Sequence, residues 1–123
     1  MLSSSDEHHA ACVETLRQIN GPLLTCWPVI TEVTWLLRAH PAAIRTLLSS
    51  FEGQPFELLP MDEADLPSIS SILAKYRDLR IQLADASLIQ LANREEIETI
   101  FTLDRRDFSV MRLARGKKPH LIP

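Results

Sequence analysis

Glycine, cysteine and long apolar runs are scarce in this 123-residue sequence, and each scarcity excludes a class of protein. Three glycines leave no glycine-rich loop that would cradle a phosphate group. The two cysteines, Cys12 and Cys26, lack metal-ligand spacing, so we expect reduced, buried thiols rather than a disulfide or a zinc site. No apolar run approaches the roughly 18 residues that span a bilayer.

The N-terminal dozen residues also lack the basic and apolar regions of a secretory signal peptide. We therefore expect a cytoplasmic protein with no membrane association. A hydrophobic fraction of 46% and a charged fraction of 24% are an ordinary globular balance. Together with the length, they predict that residues 1–123 form one domain with a single core.

Strand-like and helix-like segments alternate along the chain. Apolar runs between turn residues predict strands at 22–27, 56–61, 99–104 and 120–123. Apolar residues at helical spacing predict helices at 5–19, from Pro28 to the break at His40-Pro41, and at 41–51, 62–76, 84–96 and 105–113. The alternation predicts an α/β fold with a mostly parallel sheet. In such sheets the functional crevice lies beyond the carboxyl ends of the strands.

Three carboxylates fall where this architecture would bring side chains together. Glu32 lies early in the helix after the first predicted strand, Asp85 lies at a helix start, and Asp104 ends a strand. Singly, each is typical of a helix-dipole, capping or turn residue. Jointly, they would repel one another unless a cation lay between them, and hard cations such as Mg²⁺ or Mn²⁺ prefer oxygen ligands.

Basic residues are concentrated near the C-terminus. Between Arg105 and Lys118 there are six Arg or Lys residues and one acidic residue, Asp107. Such a patch beside an acidic site suits a polyanionic substrate held next to metal ions. A solvated C-terminal surface explains the same charges equally well.

The two tryptophans have both functional and structural explanations. Trp27 and Trp35 could stack on nucleic-acid bases. For Trp27 we favour packing at a strand–helix junction. Trp35 falls off the apolar stripe of its helix, which suits a surface that a second copy or a partner protein covers.

Three segments resemble the successive acidic motifs of the PIN domain, as found in ribonucleases of the VapC toxin type. They are TEVTWLL (31–37), LADASLIQLA (83–92) and TLDRRDF (102–108), with a matching lead-in, DEHHAAC (6–12). The order, spacing and flanking apolar residues all agree, and the pairing of the second and third motifs is the most specific part. The resemblance implies a three-layer sandwich with a central, mostly parallel sheet flanked by helices.

The resemblance also implies roles for individual residues. Glu32, Asp85 and Asp104 would be the catalytic, metal-holding carboxylates, with Asp107 as a further ligand for water or metal. Thr102 would support the site, and we assign phosphate contacts to Arg105 and Arg106. The family further implies Mg²⁺ or Mn²⁺ as cofactor, RNA as substrate, a homodimer, and a small antitoxin as protein partner.

One departure from the family pattern concerns its first strand, which ends in the first catalytic aspartate. That residue would precede the predicted helix at 5–19, and Asp6 is better explained as a helix cap. We therefore expect a PIN-like domain that is truncated at its N-terminus. Without this strand, 22–27 and 99–104 would lose the neighbour they share, and their backbone groups would be left unpaired.

Two functional hypotheses remain open. The first is a metal-dependent endoribonuclease. The second is a catalytically inactive PIN-like module that binds RNA or a protein partner, which the absent aspartate favours. A phosphate-accepting receiver-like domain is a more distant alternative, and the sequence shows no lysine loop of the kind it would need.

Overall fold

The computed structural model describes residues 23–52, 56–102 and 105–122. The strands are β1 (Leu23–Thr25), β2 (Phe56–Leu58), β3 (Thr99–Phe101) and β4 (His120–Ile122). The helices are α1 (Trp27–Leu36), α2 (Pro41–Ser49), α3 (Leu66–Lys75), α4 (Leu83–Arg94) and α5 (Arg105–Val110). This order confirms the predicted α/β class, whereas the helix predicted at 5–19 lies outside the described residues. No helix within the described ranges could cross a membrane.

Helix starts follow the prolines in the sequence. Pro28, Pro41 and Pro67 each lie in the first turn of α1, α2 and α3, where the missing N–H costs nothing. The helix predicted to begin after Asp62 has a short 3₁₀ turn, Glu63–Asp65, before α3. Asp62 caps that turn, because its Oδ1 accepts a hydrogen bond of 2.9 Å from the backbone N–H of Ala64.

The strands form two separate parallel pairs among the described residues. β1 pairs with β2, with Leu24 opposite Glu57. β3 pairs with β4, with Ile100 opposite Leu121. Parallel pairs connected through helices are the expected product of βαβ units, so the mostly parallel sheet of the predicted sandwich is confirmed.

The main core lies where α4, β3 and the chain after α5 meet. Its buried members surround Phe108 and Met111, which are 2% and 0% exposed. The other buried members are Tyr76, Ile89, Ala92, Ile100 and Leu113. The Tyr76 hydroxyl stays satisfied, because it accepts a hydrogen bond of 2.8 Å from the backbone N–H of Arg112. This core fixes β3 against one side of α4.

A buried carboxylate fixes the other side of α4. Asp65, just before α3, accepts hydrogen bonds of 3.0 Å from the Gln90 side-chain amide and from the Arg94 guanidinium. It also accepts one of 3.1 Å from the backbone N–H of Asp62. The Asp65 side chain is 7% exposed and that of Arg94 is 28% exposed. Because both oxygens are satisfied, the buried charge ties α4 to the start of α3.

Replacing Asp65 by alanine should lower the free energy of unfolding by about 2–4 kcal/mol, because Gln90 and Arg94 lose their shared acceptor. Glu63 lies two residues earlier and is exposed, so Glu63→Ala is the matched control. Its effect should stay within about 0.5 kcal/mol. Urea unfolding of the wild type, Asp65→Ala and Glu63→Ala at pH 7 measures both effects. Equal losses of unfolding free energy in the two variants would contradict a stabilising role for the Asp65 hydrogen bonds.

The hydrogen bonds of the Asp65 carboxylate also predict how the stability of the protein depends on pH. The hydrogen bond from Gln90, followed by that from the Asp62 backbone, lowers the pKa of Asp65 below its ordinary value of 3.8, against the opposing effect of burial. The stability that Asp65 contributes is therefore complete above about pH 3.8 and is lost as the pH falls through the lower folded-state pKa. The difference in unfolding free energy between the wild type and Asp65→Ala should be constant from pH 5 to 7 and should narrow as the pH falls below about 3.8. A gap unchanged down to pH 2 would contradict it.

Candidate functional site

Two of the predicted site carboxylates lie on helices that pack against each other. Glu32 is on α1, which follows the carboxyl end of β1, and Asp85 is in the first turn of α4. α1 and α4 are in direct contact. Both side chains are partly buried, whereas Thr31, beside Glu32, is exposed. Partial burial of an acidic side chain is unusual for a merely solvated surface.

Asp85 has a structural role as well as a predicted functional one. Its Oδ2 accepts a hydrogen bond of 3.0 Å from the backbone N–H of Gln82, which satisfies a donor at the helix start. The carboxylate also lies at the positive end of the α4 dipole. Capping does not exclude metal binding, because a carboxylate has two oxygens and about four acceptor positions.

Cys26 lies between β1 and α1 and is an inert structural thiol. Its side chain is 0% exposed and forms no disulfide. Burial raises the pKa of the Cys26 thiol, and this outweighs the lowering effect of a hydrogen bond from the Val29 backbone. The predicted reduced, buried state is confirmed for Cys26, whereas Cys12 lies outside the described residues.

The prediction that Trp27 packs at the strand–helix junction is wrong. Trp27 is 59% exposed, and the junction is occupied by Cys26 instead. Trp35 is 63% exposed, as expected from its place off the apolar stripe, and the Arg38 guanidinium lies 3.9 Å from its ring centroid.

The third predicted segment follows β3 and is described only in part. Thr102 is partly buried, and its backbone N–H donates a hydrogen bond of 2.8 Å to the Ile122 carbonyl. Asp107, in the first turn of α5, is partly buried, and Arg106 is exposed. Asp104 and the side chain of Arg105 lie outside the described residues.

The donor set fits a hard divalent cation. Glu32 and Asp85 offer carboxylate oxygens, and Cys26, the thiol next in sequence to α1, is buried with a raised pKa that disfavours the thiolate. Oxygen ligands suit Mg²⁺ and Mn²⁺, whereas zinc prefers nitrogen and sulfur. Across the described ranges, no three His, Cys, Asp or Glu side chains are grouped closely enough to hold a metal ion. The predicted three-carboxylate set therefore stays a prediction that depends on Asp104.

Sequence reasoning missed the network that holds α4 in place. Asp65 precedes a helix, so its sequence context is that of an ordinary cap. Its partners Gln90 and Arg94 lie 25 and 29 residues further along the chain. The one available signal was the four-residue spacing of Gln90 and Arg94, which places both on one face of a helix.

Comparison with known proteins shows the family of this chain. The family model described as the PIN domain matches residues 1–113. The chain is also 33% identical over 124 residues to Ribonuclease VapC26 of Mycobacterium tuberculosis, a match that covers 99% of this chain and 92% of that protein. The family match spans the segments that hold Glu32 and Asp85. The chain therefore belongs to the PIN domain family.

Proposed function

We propose that this protein is a metal-dependent endoribonuclease of the VapC toxin type, acting in the cytoplasm on RNA phosphodiester bonds. The observation that carries the proposal is the pair of partly buried carboxylates, Glu32 and Asp85, on the packed helices α1 and α4. Similarity to Ribonuclease VapC26 supports RNA as the substrate. We further propose that residues 1–123 form one PIN-like domain.

Glu32, Asp85 and Asp104 would hold Mg²⁺ or Mn²⁺, with Asp107 as a further ligand and Thr102 as a supporting polar residue. When bound, such an ion lowers the pKa of a coordinated water and neutralises charge on a phosphate. The protein contributes the positions of the carboxylates, which α1 and α4 fix by packing. Arg105 and Arg106 would hold the phosphates of the RNA next to the acidic site.

We also propose a homodimer and a small antitoxin as protein partner. The surface of α1 supports this, because two adjacent large side chains, Trp35 and Leu36, are 63% and 66% exposed. Exposed aromatic and aliphatic side chains are typical of surfaces that another protein covers.

Asp85→Asn should abolish RNA cleavage while it leaves the fold intact. The amide keeps an oxygen that can accept the hydrogen bond from the Gln82 backbone, but it removes the negative charge that a metal needs. We expect a loss of at least about 100-fold in cleavage rate with Mn²⁺ present, as is usual when an electrostatic catalytic group is removed. The assay is cleavage of a structured RNA mixture, resolved on a denaturing gel.

Two controls sharpen this test. Asp78→Asn changes an exposed carboxylate outside the site and should cleave like the wild type. EDTA should stop the wild type, and added Mn²⁺ should restore it. Cleavage that survives both EDTA and Asp85→Asn would contradict a carboxylate-held metal.

Combined replacement of Arg105 and Arg106 by alanine should weaken RNA binding. Each lost phosphate contact means that one counterion fewer is released on binding. The plot of log affinity against log salt concentration should therefore become less steep, and the size of its negative slope should decrease by roughly 1–2. Arg45→Ala is the matched control, because Arg45 is exposed on α2 and belongs to no predicted site. Filter binding at several salt concentrations with Ca²⁺ in place of Mn²⁺ separates binding from cleavage. An unchanged slope would contradict the proposal that Arg105 and Arg106 bind RNA phosphates.

The second candidate function is an inactive PIN-like module that binds RNA or a protein. One observation favours it, because the described residues include no group of three His, Cys, Asp or Glu side chains that could hold a metal ion. The two candidates differ in outcome. RNA binding with the expected salt slope but no cleavage with Mn²⁺ would support the binding module.

A further inference from the structure

Three of the described non-glycine residues have a left-handed backbone conformation: Arg80 (φ 54°), Glu96 (φ 56°) and Arg115 (φ 65°). The Cβ of an L-residue crowds the backbone in this region, so glycine is its usual occupant and other residues are strained. Of the three, Arg80 alone precedes α4, the helix whose first turn carries Asp85. Its strain therefore lies next to the candidate site.

Arg80 belongs to the connector between α3 and α4, residues 77–82. The flanking side chains of Leu79 and Ile81 pack against the main core, which contains Phe108 of α5. Arg80 itself is exposed. The core therefore fixes the connector on both sides of Arg80, close to α5, while the arginine side chain faces solvent.

The end of the connector contacts the Asp85 carboxylate. The backbone N–H of Gln82 donates to Asp85 Oδ2 at 3.0 Å. Because consecutive Cα atoms are about 3.8 Å apart, the Cα of Arg80 lies within about 8 Å of the Gln82 Cα. The connector carries Arg77 and Arg80 against one carboxylate, Asp78. It therefore brings positive charge to the acidic end of α4.

The guanidinium of Arg80 is available to a ligand. Within the described ranges, its side chain forms neither a hydrogen bond nor an ion pair. Arg112 lies beside the same part of the core, because its backbone N–H donates to the Tyr76 hydroxyl. The guanidinium of Arg112 is engaged, however, since its Nη1 donates to the Ser109 and Met111 carbonyls at 2.8 and 3.0 Å. Arg80 thus bears a backbone cost that glycine would avoid, and no contact among the described residues explains it.

We propose that Arg80 is a substrate-binding residue that holds an RNA phosphate next to Asp85. The planar guanidinium can form two parallel hydrogen bonds to a phosphate. The carboxylates of Glu32 and Asp85 repel an approaching RNA strand, and a cation beside them offsets that repulsion. Arg80 adds a contact from the α4 side to those proposed for Arg105 and Arg106. The proposal takes its substrate class from the proposed nuclease function.

Arg80→Gly tests the contact, because it removes the guanidinium and relieves the backbone strain together. The probe is a labelled RNA hairpin with a single-stranded loop, bound with Ca²⁺ in place of Mn²⁺. The Kd should rise about tenfold, as expected when a charged hydrogen-bonding group is lost. The plot of log affinity against log salt concentration should become less steep by roughly 0.7–0.9. Arg80→Lys keeps the charge and should keep the steepness of that plot.

Urea unfolding separates the loss of a contact from the loss of the fold. Arg80→Gly and Arg80→Ala both remove the guanidinium, but only glycine takes a φ of 54° without a Cβ clash. The urea midpoint of Arg80→Gly should exceed that of Arg80→Ala by about 0.3–0.6 M. The two variants should nevertheless bind RNA equally weakly. A purely structural role for Arg80 predicts a different pattern, in which RNA binding follows stability.

Arg115→Gly is the matched control. Arg115 is also exposed and left-handed, and its replacement changes the net charge by the same amount. It lies at the other end of α4, because the N–H of the neighbouring Ala114 donates to Asn93 Oδ1 at 2.7 Å. At about 1.5 Å per residue, Asp85 and Asn93 are about 12 Å apart along α4. Arg115→Gly should therefore keep the Kd and the salt dependence of the wild type.

Two binding results would overturn the proposal. One is a wild-type Kd and salt dependence in Arg80→Gly. The other is an equal loss of affinity in Arg80→Gly and Arg115→Gly, which would mean that RNA responds to net charge alone. A wild type that binds no RNA would overturn both this proposal and the nuclease.

Cleavage of a structured RNA mixture with Mn²⁺ distinguishes failure of this proposal from failure of the nuclease. Equal cleavage rates of the wild type and Arg80→Gly at limiting RNA would remove the contact and leave the nuclease. Weaker binding by Arg80→Gly, together with no cleavage by the wild type, would support the contact and remove the nuclease. We expect slower cleavage by Arg80→Gly at limiting RNA and wild-type cleavage at saturating RNA.

Discussion

The buried carboxylate of Asp65 is the interaction on which the placement of the candidate site depends. It accepts hydrogen bonds from Gln90 and Arg94 on α4 and from the Asp62 backbone before α3. A buried charge with every partner in place is direction-specific, whereas apolar packing alone allows a helix to slide or rotate. Asp85 lies on the same helix, so the network that orients α4 also orients the carboxylate at its start.

α4 serves three parts of the structure with different faces of one helix. Ile89 and Ala92 enter the core, Leu88 and Leu91 line an apolar cavity of about 500 Å³, and Gln90 with Arg94 reach Asp65. A helix that is apolar over much of its circumference must be covered on several sides. This explains why one helix contacts α1, α3 and the core around β3, and why a single acidic residue at its start can be held so firmly.

The sequence predicted the parts of the fold that are determined locally. Prolines predicted the starts of α1 and α2, and apolar runs predicted the four described strands. The end of α4 was predicted two residues late, because Glu96 takes the left-handed conformation (φ 56°) that glycine usually supplies, and Ile97 N–H closes the helix on the Ala92 carbonyl at 2.8 Å. The carboxylate motifs were found by resemblance, whereas Asp65 was missed because its partners are distant in sequence.

The relative position of Glu32 and the segment after β3 follows from the same architecture. α1 and α4 are in direct contact, and α4 packs against β3 in the shared core, so α4 relates the Glu32 side of the candidate site to the segment that follows β3. Because protein interiors are close-packed, the orientation of α4 determines the position of Asp85 together with the packing of both neighbours.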